Sequence, residues 1–259
     1  MKQLEQLDFN KGLHLLKKFI KKASAPEQAK EFLVNLTRCI DVTKGVVPKR
    51  RSRAGDGSDD LFCLHRHLLS QKASLTNPKT LTREEDRLER EAWCHWSPSS
   101  ADPVLEAWER LITFQMPLQN HRKDKAWGKV DLVGMSSAGL PVVIELKGGS
   151  SKEPILRVLI QALAYGIAIQ SVWPILRPHW LKVTSQLRLP RHLPEELKEC
   201  PLVCAAPAEY WDASLEYLDQ EARKDLRALV AAFKVQGFPA RFVKLERLKQ
   251  GLSGELFDL

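Results

Sequence analysis

The chain of 259 residues is 44% hydrophobic, enough for an ordinary core in one large domain or two small ones. Its 40 Lys and Arg exceed its 32 Asp and Glu, and this net charge of +8 favours a polyanionic partner through counterion release while saying nothing about fold. No run of about 18 apolar residues offers a membrane span, the charged start lacks an apolar signal region, and the five cysteines form no disulfide-framework pattern; the expectation is a cytoplasmic protein of the cytosol or nucleoid, with reduced thiols and no membrane partner.

Residues 1–23 alternate Leu4, Leu7, Phe9, Leu13, Leu16, Phe19 and Ile20 with lysines, the pattern of an amphipathic helix with a solvated basic face. Ser24 or Ala25 before Pro26 starts a second helix that runs to about Ile40. Residues 43–60 are rich in breakers and read as a flexible connection, its Lys49, Arg50, Arg51 and Arg53 being either a phosphate clamp or ordinary loop charge. Residues 60–74 and 82–95 read as helices, the second opened by a capping box of Thr82 and Glu85. Cys63, His65 and His67 do not share a helical face and no paired C-x-x-C supports them, which argues against zinc. Trp93, Trp96 and Trp108 are assigned to the core.

After the break at 97–103, Val104–Gln115 reads as a helix with a buried stripe of Val104, Leu105, Trp108, Leu111 and Ile112. Glu106 and Glu109 lie off that stripe, Glu109 at its border. Phe114–His121 is expected to be the first core strand, followed by a basic loop at 121–125 that either touches DNA backbone or is a charged turn.

Residues 128–147 carry the most information. Two apolar runs, Val130–Met135 and Leu140–Leu146, flank the turn residues Ser136-Ser137-Ala138-Gly139 and predict a β-hairpin. Centred on Ala138, the pairing sets Asp131 opposite Glu145 on one face, with Lys147 one pleat beyond. Val130, Leu132, Ile144 and Leu146 then point to the other face. Opposed carboxylates repel, so this pattern suits a cation between them. One or two carboxylates plus a substrate phosphate is the usual way Mg²⁺ is held. Lys147 would sit beside it, within reach of a phosphate oxygen or the attacking water, and the cation would depress its pKa. The chemistry this suggests is metal-assisted phosphodiester hydrolysis.

The segment 148–154 leads into a helix at Pro154–Gln170, whose Gln161 and Tyr165 share a face, as a functional pair or a packing pair. Val172–Leu176 reads as a strand returning beside the Glu145 strand. Arg177–Leu197, broken by Pro178, Pro190 and Pro194, is an insertion or connector. Residues 201–207 read as the last sheet strand, 209–235 as one long amphipathic helix, and 238–248 as an added strand or tail element.

Asp131, a hairpin and then Glu145-Leu146-Lys147 resemble the D…ExK core of the PD-(D/E)xK nuclease superfamily. Gln161-Ala-Leu-Ala-Tyr165 resembles the Q-x-x-x-Y helix motif of its RecB-type and archaeal repair-nuclease branches. The resemblance covers about residues 101–207. It implies an α/β, restriction-endonuclease-like mixed sheet flanked by helices over 97–259, with a mainly helical extension over 1–96. It also implies Mg²⁺ or Mn²⁺ held by Asp131, Glu145 and the Leu146 carbonyl. A glutamate from the helix before the first core strand would complete the site, Glu109 being slightly preferred by geometry and Glu106 fitting the family pattern comparably. Lys147 would orient or help deprotonate the attacking water, and Gln161 with Tyr165 would serve the same site. The implied substrate is DNA, hydrolysed in repair, restriction or phage defence, with a homodimer or a partner protein supplying specificity. The rival reading is a nucleic-acid-binding or assembly protein that keeps the fold without cleaving.

Overall fold

The computed structural model describes residues 30, 33–34, 36–46, 81–97, 108, 110–117, 129–186, 193–249 and 251–259. The expectations for residues 1–23, the basic cluster at 49–53, Cys63, His65, His67, Glu106, Glu109 and the loop at 121–125 fall outside these.

One six-stranded mixed sheet organises the chain, its strands adjacent in sequence order: β1 (Arg110–Pro117), β2 (Lys129–Met135), β3 (Pro141–Leu146), β4 (Leu202–Pro207), β5 (Ala240–Leu248) and β6 (Gly251–Phe257). β1, β2 and β3 form an antiparallel meander; β3, β4 and β5 run parallel; β6 closes the far edge antiparallel. Helices α1 (Leu36–Val46) and α3 (Ile155–Gln186) cover one face together with α4 (Ala208–Glu216) and α5 (Gln220–Val235), and α2 (Glu84–Trp96) covers the other. The mixed α/β class and the helix-flanked mixed sheet are therefore as expected.

Several element boundaries differ, each for a physical reason. Val104–Gln115 is not a helix where it is described: the expected first core strand, present at Phe114–Pro117 beside β2, starts already at Arg110, and Leu111, Ile112, Phe114 and Met116 are strand residues, at most 5% exposed, divided between the two cores. A strand buried on both faces gives a continuous apolar run, which periodicity alone cannot tell from a buried helix. Val172–Leu176 is likewise not a strand. α3 continues through it and through Pro174 and Pro178 to Gln186. Each proline removes a helical hydrogen bond, but the helix is held by tertiary anchors: Trp173 Nε1 donates to Pro194 O at 3.0 Å and Trp180 Nε1 to Gly139 O at 2.9 Å. α3 is long and apolar enough to cross a membrane, contrary to the sequence expectation, yet 78% of its most apolar window is buried inside the fold. The apolar surface all round it is that of a core helix.

The strand beside β3 is thus β4, which is not the last: β5 and β6 extend the sheet. The expected single helix at 209–235 is two, because Asp219 starts a new one, its Oδ1 accepting from Ala222 N–H at 2.7 Å. The Thr82–Glu85 capping box is not made; α2 starts at Glu84, its N-cap Arg83 makes no side-chain cap bond, and Glu84, Glu85 and Asp86 lie in the dipole-favoured first turn. α1 runs past Ile40 to Val46. Trp93, Trp96 and Trp108 are core residues as expected, and no disulfide forms among the described residues.

α2, which precedes the expected boundary at residues 96 and 97, packs on β1, β3 and β6. Its apolar stripe of Leu88, Ala92, Trp93 and Trp96 meets Leu132, Ile144 and Leu146. Arg247 of β5 ties down its polar side, donating to Glu91 at 2.8 Å, and Arg90 stacks 4.2 Å over the Phe114 ring.

Candidate active site

The hairpin register is the expected one. Leu132 pairs with Ile144, Val133 with Val143, Gly134 with Val142 and Met135 with Pro141, so continuing the ladder sets Asp131 level with Glu145. The turn closes through Gly139 N–H to Ser136 O at 2.8 Å, with Gly139 at φ +78°, a conformation glycine adopts without steric cost. Leu132, Ile144 and Leu146 pack under α2 as predicted, while Val130 joins the opposite cluster beside its partner Met116.

Asp131 Oδ2 accepts the Leu146 N–H at 2.8 Å, which pins the aspartate against the end of β3. Glu145 is fully buried; its Oε1 accepts from Lys147 Nζ at 2.9 Å, while Oε2, also buried, has no hydrogen-bond partner among the described residues. Burial pushes both carboxyls above the ordinary carboxylate range, and Asp131 pushes Glu145 further; the Lys147 ammonium opposes both shifts. Burial alone would lower Lys147, but Glu145, Asp131 and Glu153 outweigh it and hold the ammonium above its ordinary value. The expected depression of this lysine by a cation therefore works against a strong field of carboxylates, and Lys147 acts here as a fixed positive charge.

Lys147 also lies 3.1 Å from Glu153 Oε2, and Glu153 Oε1 lies 3.2 Å from the Arg157 guanidinium in the first turn of α3. One turn further, Gln161 Nε2 donates to Tyr165 Oη at 3.2 Å. Tyr165 is buried, and its hydroxyl is pushed up by burial and by the fields of Glu145 and Asp131. The loop after Lys147 is fixed from the other side of the sheet. Glu84 Oε2 accepts from Ser150 N–H at 3.3 Å and Ser150 Oγ at 3.1 Å, and a Cβ on Gly148 would lie 2.8 Å from that oxygen.

Sequence reasoning missed a third acidic group. Glu89 projects from α2, the helix that precedes the first strand among the described elements, and is 4% exposed. Gln115 Nε2 lies 2.7 Å from both of its carboxylate oxygens. Gln115 sits between the pairs Phe114–Leu132 and Met116–Val130, level with Asp131, and its φ of +52° re-aims the side chain out of the ladder. The available signal was the one applied to Glu106 and Glu109, a glutamate at the edge of a helix's apolar stripe. Glu153 and Arg157 carried a visible i,i+4 signal.

Burial, helped by the Asp131 field and opposed by Gln115, raises Glu89 from an ordinary 4.5 to about 8. Between those values the folded protein keeps a proton that the unfolded chain releases. The resulting stability is fully present below 4.5 and is lost as pH rises towards 8. Thermal unfolding of Glu89→Gln should therefore gain on wild type as pH goes from about 5 to about 8. Parallel pH profiles for the two proteins would exclude a proton held at Glu89.

Among the described residues no group of three or more His, Cys, Asp or Glu side chains is arranged to hold a metal ion. The oxygen set available at the hairpin is Asp131, Glu145 and the Leu146 carbonyl, a small set of the kind Mg²⁺ accepts when substrate phosphate and water fill the remaining positions. The buried Glu145 carboxyl, hydrogen-bonded to Asp131 when the pair holds a proton and with Oε2 otherwise unpartnered among the described residues, fits such a cation in place of that proton. No protein-family model, curated protein or solved structure matches the chain.

Proposed function

We propose that this protein is a metal-dependent nuclease with a restriction-endonuclease-like core that hydrolyses DNA phosphodiester bonds in the cytoplasm, in repair, restriction or phage defence. The observation that carries the reading is the Glu145 carboxylate, fully buried with one oxygen unpartnered, level with Asp131 and bonded to Lys147. Two buried carboxyls facing one ammonium leave room for a further positive charge, which a divalent cation would supply. Asp131, Glu145 and the Leu146 carbonyl would hold Mg²⁺ or Mn²⁺, which supplies Lewis-acid polarisation of the scissile phosphate. Lys147 offsets the charge that develops on the phosphate and orients the attacking water. Gln161, bonded to Tyr165, would help position water or phosphate at the same site. Glu89 joins Glu106 and Glu109 as a candidate for the glutamate that comes from a preceding helix.

The rival reading, a silent nucleic-acid-binding or assembly protein, draws on one observation: Lys147 is already engaged by two carboxylates. Cleavage of supercoiled and linear DNA, double- and single-stranded, in Mg²⁺, Mn²⁺ or EDTA separates the two. Metal-dependent cleavage by the wild type supports the nuclease. DNA binding that is indifferent to Mg²⁺, with no cleavage of any substrate, sinks it in favour of the silent protein. A homodimer or a partner protein would then be sought as the source of specificity.

A further inference from the structure

We infer that Lys147 and Arg157 form a phosphate subsite that the Glu153 carboxylate occupies until a nucleic-acid phosphate displaces it. The inference deepens the nuclease reading and rests on it for its ligand, a phosphodiester. Glu153 bridges two cations from different elements: Oε2 is 3.1 Å from Lys147 Nζ at the end of β3, and Oε1 is 3.2 Å from the Arg157 guanidinium on α3. Two oxygens of one anion spread across a lysine and an arginine is also the arrangement in which such a pair grips a phosphate.

Three features mark Glu153 as the carboxylate that yields. Lys147 makes a true hydrogen bond to Glu145, whereas its approach to Glu153 is an ion pair alone, Oε2 of Glu153 having no hydrogen-bond partner. The Glu145 side chain is fully buried and cannot leave, while that of Glu153, though its Oε2 is buried against Lys147, is 29% exposed as a whole beside an Arg157 side chain that is 37% exposed. The Glu153 backbone is held independently, its carbonyl accepting from Tyr210 Oη at 2.8 Å, so release needs only side-chain rotation.

Arg157 has donor capacity to spare. Its Nε is buried and has no hydrogen-bond partner, so the guanidinium fork is only partly used by Glu153. Charge also argues for the exchange. With Glu153 in place a phosphate would approach three carboxylates, Asp131, Glu145 and Glu153, against two cations. Rotating Glu153 outward removes one negative charge and frees one face of each cation.

The test measures binding of a fluorescent DNA duplex by anisotropy in EDTA over a salt series, and cleavage in Mg²⁺ with the same proteins. Glu153→Gln keeps the shape and removes the competing charge; it should bind about fivefold tighter than wild type, the factor a partly exposed ion pair carries. The gain should appear as a lower KM in cleavage. Arg157→Gln should bind more weakly and with a salt slope reduced by about one counterion. Arg157→Lys should restore the slope without the full affinity, because the fork is lost. Glu153→Gln binding no tighter than wild type, or Arg157→Gln leaving affinity and slope unchanged, overturns the subsite whether or not the protein cleaves. The predicted binding shifts without cleavage by any of the proteins would keep the subsite and reject the nuclease.

Discussion

Lys147→Met should remove DNA cleavage and destabilise the fold together, and the stability loss should grow with pH. Lys147 is 6% exposed, and its ammonium is the direct counter-charge of a Glu145 that is fully buried. Breaking a buried pair by removing one partner costs about 3–5 kcal/mol, because the other charge is left uncompensated in a poor solvent. The carboxyl pair has one escape, which is to take up a proton. Without the ammonium, burial and mutual repulsion hold Asp131 and Glu145 still further above the ordinary range. Groups raised in the folded state contribute stability below their unfolded values and lose it as pH rises. The deficit of the variant against wild type should therefore be small near pH 5 and should widen towards about pH 8 in thermal unfolding. Loss of an electrostatic group that acts on the transition state reduces turnover by about 10²–10³. A deficit that is the same at both ends of the pH range would mean the lysine is not neutralising the pair. Full cleavage by the variant would remove it from the chemistry.

The hairpin was readable from sequence because everything that fixes it is local. Two apolar runs and a Ser-Ser-Ala-Gly turn determine the register, and the register alone sets Asp131 level with Glu145. The i,i+4 relation of Gln161 and Tyr165 is local in the same sense, and they do touch. Pattern failed where burial was complete. Phe114–Pro117 is the expected strand beside Val130, but Leu111–Thr113, read as helix, shows no strand alternation because both faces of β1 are covered, and α3 keeps two prolines because tryptophans anchor it on both sides of them. Glu89 reaches the site through the packing of α2 on the sheet, a contact between segments far apart in the chain. The left-handed Gln115 that meets it has no signature, since glutamine is not a residue that favours positive φ. The link from Lys147 to Glu153 depends on how residues 148–152 fold back, which local pattern does not specify.

Glu145→Gln should show the opposite profile: cleavage lost, stability kept. The carboxyl is fully buried, one of its oxygens has no partner, and burial together with the neighbouring Asp131 pushes its pKa well above the ordinary range. In the absence of a cation the fold thus favours a neutral group at this position, and glutamine supplies one of the same shape. Lys147 stays compensated, because Glu153 and Asp131 remain around it. The variant should therefore unfold within about 1 kcal/mol of wild type, because, unlike Lys147→Met, it leaves no buried charge without a counter-charge, the ammonium keeping Glu153 and Asp131 around it. Its DNA affinity in EDTA should be preserved, and its cleavage in Mg²⁺ should fall by about 10²–10³, the scale of one lost transition-state contact. Calorimetry at neutral pH and a plasmid nicking assay decide the matter. A drop in stability as large as that of Lys147→Met would make Glu145 a structural partner of the lysine, and undiminished cleavage would remove it from the metal site. Stability retained with activity lost is the signature of a group the chemistry needs and the fold only tolerates. Set beside Lys147→Met, that result would identify the buried glutamate as the residue around which this hairpin is built.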